Sequence, residues 1–357
     1  MPSSAQHGQD FAGCLLGTAV GDALGLPCEG LTKQRQLRHF PDISHYHLLF
    51  RRGMVSDDTD HACMVTQCLI SSGDDPDLFE QFLARELRLW LITLPAGVGL
   101  ATLRATVKLW FGASPAKSGV FSAGNGPAMR SPIIGVYCTA ERPSLIRALI
   151  NASTRLTHSD PKAEYGAFAI ALAAAMASKG RDIDPESYVS ALSGQIGAQA
   201  QELMELVTRA SISAKMGQSS EAFCSDLGLP QHVTGYMYHT VPVVIQTWLR
   251  HQSDFAGGIT EIIRCGGDTD TTAAILGGII GARVGKEGIP PEWLSGLQAW
   301  PHTVEWMEEL GRRLFLLAHG LPSKGMPENR PGLFLRNMLL LAAVMAHGFR
   351  RLLPPYG

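Results

Sequence analysis

Between positions 11 and 24 nearly every residue is apolar or small, and glycine returns at Gly13, Gly17, Gly21 and Gly25. A four-residue step keeps positions on one side of a helix, so this spacing predicts a helix with a smooth face that a second helix can approach closely. Tight packing is reason enough for Gly13 and Gly17. The pattern breaks at Gly25-Leu26-Pro27-Cys28-Glu29-Gly30, leaving Glu29 on a loop. Over 31–54 no period is visible, and His39, His45 and His47 read as solvated loop histidines without metal-ligand spacing. Helical spacing returns over 58–70.

The punctuation then repeats. Asp75-Pro76-Asp77 opens a helix running to about Ile92, Arg142-Pro143 one toward Leu156, Asp160-Pro161 one ending at Lys179-Gly180, and Asp184-Pro185 another. An acid at the cap accepts from free backbone N–H groups, and proline in the first turn has no N–H to leave unpaired. Further helical periods cover 199–214, 241–251, 254–264, 270–284, 303–318 and 333–352. No alternation long enough for a strand and no internal repeat of ~20–50 residues is visible. The expectation is an all-α chain forming one domain over 1–357.

Composition agrees with a globule rather than disorder, with 45% hydrophobic and 17% charged residues among 357. A net charge of −2 gives no electrostatic reason to expect a nucleic-acid or anionic-membrane partner. Seven cysteines without a Cys-x-x-Cys pair suit neither a disulfide framework nor a zinc cage and point to a reducing cytoplasm. The start, Met1 to His7, lacks the marks of a secretory signal. The stretch 338–346, bounded by Arg336 and Arg350, falls short of the ~20 apolar residues of a membrane span and reads as a buried C-terminal helix. A monomer is expected.

Two stretches stand apart. Val55-Ser56-Asp57-Asp58-Thr59-Asp60 and Arg264-Cys265-Gly266-Gly267-Asp268-Thr269-Asp270-Thr271-Thr272 each place several acids and hydroxyls at the start of an apolar helix. One acid there is a cap; each stretch holds more than a cap can use. The surplus is a dense array of hard oxygen donors, suited to Mg²⁺ or Mn²⁺ and not to zinc. If the stretches meet, each close pair among Asp57, Asp58, Asp268 and Asp270 repels by roughly 4 kcal/mol at an effective dielectric of about 20. Cations would offset that repulsion; without them the carboxylate pKa values should rise.

Five blocks then occur in order: Gly21-Asp22-Ala23-Leu24-Gly25 with Glu29 beyond; Ser56-Asp57-Asp58-Thr59; Gly124-Asn125-Gly126-Pro127-Ala128-Met129-Arg130; Leu156-Thr157-His158 with Tyr165-Gly166-Ala167; and Gly266-Gly267-Asp268-Thr269-Asp270-Thr271. In these blocks the chain resembles the ADP-ribosylglycohydrolases, most strongly over 11–285 and little beyond. The resemblance implies a compact orthogonal multi-helix bundle with 286–357 packed on it, two Mg²⁺ (or Mn²⁺) ions, and the ADP-ribose moiety of a modified protein or small conjugate as partner. It implies Ser56, Asp57 and Asp58 on the first metal, Asp268 and Thr271 on the second, and Asp270 bridging. Asp57, Asp58 and Asp268 thereby join Glu29, the expected general acid or base, in the catalytic set. Gly124, Asn125, Gly126, His158 and Tyr165 would line the nucleotide and ribose wall. Hydrolysis would free ADP-ribose from an N- or O-linked acceptor, a modified arginine or serine or a related conjugate, with the arginine type expected, the metals orienting the ribose hydroxyls while carboxylates stabilise oxocarbenium character.

One departure bears on the acceptor. The segment Leu94 to Thr102 contains no carboxylate, whereas some arginine-directed relatives carry an aspartate there, and an acid elsewhere on the rim, such as Asp22, would have to serve. Arg130 reads equally as a salt-bridge partner or a phosphate contact. Two other functions stay open: a non-catalytic ADP-ribose-binding or structural protein, and a metal-dependent phosphohydrolase of nucleotide-like substrates. Asp60-His61 reverses the order found in histidine-aspartate phosphohydrolases, and no histidine here is followed by aspartate.

Overall fold

A computed structural model describes residues 8–352. The segment Met1 to His7, in which no secretory signal is expected, lies outside them. Helices make up 69% of the structure, and the described residues form no sheet, only isolated bridges, in accord with the all-α expectation. Asp75 accepts from Asp77 N and Leu78 N, Asp160 from Lys162 N and Asp184 from Ser187 N. Proline follows each, opening Pro76–Leu91, Pro161–Ala177 and Pro185–Ser193. The helix expected over 241–251 is Met237–Arg250; Pro242 lies in its second turn rather than its first.

The stretch 31–54 is more ordered than its lack of period suggests. Lys33–His39 is a short helix whose buried Gln36 donates Nε2 to the Ile263 carbonyl at 2.8 Å. His45 Nδ1 lies 3.2 Å from Asp42 Oδ2, and His47 Nε2 lies 2.5 Å from the Asp42 carbonyl. These histidines are half-buried and partnered, not solvated, because Asp42 gathers both rings.

The centre of the core is the pairing of Gln9–Gly25 with Thr269–Val284. A Cβ added at Gly13, Gly17, Gly21 or Gly25 would stand 2.2, 2.1, 2.1 or 2.3 Å from the carbonyl oxygen of Gly281, Gly277, Ala273 or Thr269. Those partners climb one helix as the glycines descend the other, so the pair is antiparallel, with backbones in contact along four rungs. The glycine face therefore does more than pack. Its last rung brings Gly25 against the Asp270 Cα (2.6 Å from an added Cβ), fixing where the first helix ends relative to the second acidic stretch.

The C-terminal helix, Arg330–Leu352, departs from expectation. It is not buried. Leu335, Leu339 and Phe349 are exposed, while Arg336, Asn337 and Leu340 turn inward. Both this helix (330–349) and the first (9–28) are long and apolar enough by composition to cross a membrane; 94% of the first window is buried in the protein and 28% of the last. The short apolar run 338–346 is lengthened by its helical flanks; only Leu340 of it is buried, against Leu26, Leu48 and Met54, while the preceding inward residues Arg336 and Asn337 are polar.

Candidate active site

The two acidic stretches meet. Thr271 Oγ1 donates to Asp58 Oδ2 at 3.2 Å, although 213 positions separate them. Each stretch sits where a long helix begins, Asp57–Ser72 and Thr269–Val284, so two positive helix ends face the same carboxylates and offset part of their repulsion. Asp57, Asp268, Asp270 and Thr271 line the floor of a cleft of about 620 Å³; Asp58 and Ser56 lie buried just beneath. That volume suits a nucleotide-sized ligand.

The first turn is shaped by side chains. Ser56 Oγ accepts from Asp58 N at 3.3 Å. Asp22 Oδ2 accepts from Ser56 N (2.8 Å), Thr59 N (3.2 Å) and Thr59 Oγ1 (2.6 Å). Asp22 is thus fully buried below the cluster and not on the rim: the glycine seam draws its helix into the core, and it cannot meet a guanidinium in the cleft. The second turn is shaped by backbone. Gly266 and Gly267 adopt φ of +71° and +86°, and a Cβ on Gly267 would stand 1.9 Å from the Val233 carbonyl oxygen. Asp268 N donates to that oxygen at 2.9 Å, and Gly267 exchanges hydrogen bonds with Gly30 and Leu31. The last pair places the Glu29 loop beside the turn. Glu29 is exposed at the cleft lip and is the leading charged neighbour of Asp270.

Burial, then the neighbouring charges of Asp22, Asp57 and Asp268, push Asp58 well above the usual carboxylate range. Asp57 and Asp270 are raised for the same two reasons, burial being the larger. Asp268 is raised by burial against opposing hydrogen bonds, and Asp22 by burial to about 6. Asp58 Oδ1 and Asp270 Oδ1 are buried with no hydrogen-bond partner. Among the described residues no group of three or more His, Cys, Asp or Glu side chains is arranged to hold a metal ion by itself; the donors here are carboxylates and hydroxyls shared between two helix starts. Crowded anionic oxygens, two of them unpartnered, fit a hard divalent cation.

The wall residues divide. Gly124, Gly126 and His158 line the cleft, and a Cβ on Gly124 would come 3.1 Å from His158 Nε2. Arg130 can only donate, and its Nη2 reaches Thr157 Oγ1 at 2.8 Å; that hydroxyl can then donate to His158 Nδ1, also at 2.8 Å. The ring proton is left on Nε2, toward the glycines. Burial and Arg130 hold the His158 pKa down at about 3. Arg130 itself is fully buried on Ser153 and Thr157, neither a salt-bridge partner nor a phosphate contact, and burial lowers its pKa to about 9. Asn125 lines the cleft, but its Nδ2 donates to Asp268 Oδ2 (2.5 Å) and Thr240 Oγ1 (3.0 Å), so it orients a floor carboxylate. Tyr165 is not among the lining residues; its hydroxyl bonds Gln199 Oε1 at 3.1 Å on the outer surface. Thr240 and Val233 escaped sequence reasoning because their contacts to the second acidic turn are long-range and carry no local motif; Thr59 was part of the first motif, but its bond to Asp22 was not legible there.

Comparison with known proteins assigns this helical chain, with carboxylates and hydroxyls on the floor of a nucleotide-sized cleft, to the ADP-ribosyl hydrolases. The family model for ADP-ribosylglycohydrolase matches residues 3–323, so the chain belongs to that family, whose match extends past the expected limit of 285. The chain is 29% identical over 298 residues to the ADP-ribosyl-[dinitrogen reductase] glycohydrolase of Rhodospirillum rubrum, covering 80% of this chain and 89% of that protein. It is 27% identical to the ADP-ribosylhydrolase ARH3 of Xenopus tropicalis, covering 84% and 94%. A solved ADP-ribosylglycohydrolase-related protein complex superposes with a TM-score of 0.64 at 25% identity, covering 88% of this chain and 99% of that one. The family implies ADP-ribosyl glycohydrolase activity, its characterised homologues act on ADP-ribosylated substrates, and it is in general metal-dependent.

Proposed function

We propose that this protein uses a pair of Mg²⁺ or Mn²⁺ ions to hydrolyse the glycosidic bond between ADP-ribose and an acceptor, releasing ADP-ribose. The observation that carries the reading is the Thr271–Asp58 contact, which unites both acidic stretches under one cleft. Ser56, Asp57 and Asp58 would hold one ion, Asp268 and Thr271 the other, and Asp270 both. When bound, such ions supply Lewis-acid chelation of vicinal hydroxyls and acidify nearby water. The chain does the rest. Glu29, exposed at the cleft lip, holds or delivers the proton exchanged between acceptor and water. Gly124 and Gly126 let backbone approach the diphosphate, with His158 Nε2–H beside them as a neutral donor.

For the acceptor, the arginine-type reading has the weaker support. The cleft-lining residues Gly97, Gly99, Leu100, Ala101 and Thr102 offer no carboxylate, and Asp22 is buried, so Glu29 is the exposed acid at the lip. The seven cysteines, all buried free thiols, support a reducing cytoplasm as its location.

The test is incubation with arginine- and serine-ADP-ribosylated peptides, with Mn²⁺ or Mg²⁺ and with chelator. Metal-dependent appearance of free ADP-ribose is expected, with Glu29→Gln slowing release while Mn²⁺ binding persists. AMP or phosphate as product would instead indicate phosphoester cleavage, and tight ADP-ribose binding without turnover a binding protein.

A further inference from the structure

One guanidinium reaches the first acidic turn from a helix that lies outside the family match. Arg336, 3% exposed, donates Nη1 to the Val55 carbonyl at 2.9 Å and Nη2 to Asp60 Oδ1 and Oδ2 at 2.7 and 2.6 Å. Val55 and Asp60 bracket Ser56, Asp57 and Asp58. The planar fork thus ties both ends of the turn that carries the proposed ligands, a task a lysine ammonium cannot do from one position. Asp60 also accepts from Trp90 Nε1 at 3.0 Å, and His302 Nδ1 lies 3.8 Å away, with His302 Nε2 on Glu328 Oε2 at 3.1 Å. On the opposite side Asp22 holds Ser56 N and Thr59 N. The turn is gripped from two elements, one before it in the chain and one 276 positions after Asp60.

The anchoring helix shows why this contact is more than packing. Its apolar residues Leu335, Leu339 and Leu341 face outward, and its inward side carries Leu333, Leu340, Arg336 and Asn337, whose Nδ2 donates to Thr93 O (2.9 Å) and Thr93 Oγ1 (3.0 Å). A buried charge is an expensive way to dock a helix that already has Asn337 and Leu340 as inward contacts. We infer that Arg336 is a positioning residue of the metal site, holding Val55–Asp60 so that Ser56, Asp57 and Asp58 present their oxygens together. This rests on the metal-site reading above.

The experiment measures the Mn²⁺ dissociation constant of the full chain by calorimetry, beside a hydrolysis assay. Arg336→Met is expected to weaken Mn²⁺ binding about 10–100-fold, the range seen when groups orienting metal ligands are removed. The double variant Arg336→Met/Asp60→Asn strands no buried charge, keeps an acceptor for Trp90, and is expected to remain folded with the same weakening. Asn337→Ala loosens the same helix without touching the turn; its melting temperature should drop while its Mn²⁺ constant stays within twofold. A folded Arg336 variant, single or double, that binds Mn²⁺ within twofold of wild type overturns the inference, as does an Asn337→Ala protein weakened as much as Arg336→Met. Wild-type protein that binds Mn²⁺ but releases no ADP-ribose removes the proposed reaction while the Arg336 comparison still decides. Wild-type protein that binds no Mn²⁺ removes both.

Discussion

The two acidic turns carry the same residue types and are held in different ways. The turn at Ser56 is gripped by side chains from distant elements, Asp22 on one flank and Arg336 on the other. The turn at Asp268 is set by its own backbone, through two left-handed glycines and hydrogen bonds to Val233, Gly30 and Leu31. Chemically similar side chains can thus be placed by long-range charged contacts or by local conformational restriction. The first kind is tunable by conservative substitution, whereas the second tolerates almost none.

The largest expected effect ignores that difference. Asp57→Asn and Asp268→Asn should each lower ADP-ribose release by a factor of about 10³ or more, roughly 4 kcal/mol; near-wild-type turnover in either would remove that residue from the site. The second effect depends on the difference. Gly267→Ala meets the Val233 carbonyl and a strained φ, and should lower the melting temperature by about 10 °C, whereas Ser56→Ala should lower it by only a few degrees. Equal shifts would break the comparison. Third, Asp22→Asn should weaken Mn²⁺ binding about 10–100-fold through the first turn, and Asn125→Ala should do so more mildly through Asp268, both read by calorimetry.

The smallest effect lies on the wall. His158 titrates at about 3 in the fold against an ordinary 6.5. Below pH 6.5 the unfolded chain therefore binds the extra proton, so the stability contributed by the neutral ring is full above 6.5 and is lost as pH falls toward 3. At pH 5 the loss is of the order of 1–2 kcal/mol. Melting curves at pH 7 and 5 should show a smaller difference in His158→Asn than in wild type.

Much of this was legible in residue order. Helix starts followed from capping acids and prolines because those rules act within three or four residues. The donor chemistry of both turns followed from composition, since crowded carboxylates and hydroxyls permit few other readings. The glycine period was visible at Gly13 to Gly25, but its partner was not, because nothing local distinguishes Gly277 and Gly281 from other small residues. Asp22 was misplaced on the rim for a related reason: an acid in an apolar helix shows that it needs a partner without saying on which side. Arg336 gave the same signal within an apolar stretch and was read as a boundary.

Helical class, caps and the residue types of the two acidic turns were therefore matters of sequence, because backbone hydrogen bonding and side-chain chemistry are short-range. Which acids share a floor, which one lies beneath it, and that the C-terminal helix turns its arginine inward were decided by packing. The physical reason is the glycine seam: it lets two helices touch backbone to backbone, and that contact sets where Asp22, Glu29 and Asp270 stand relative to one another.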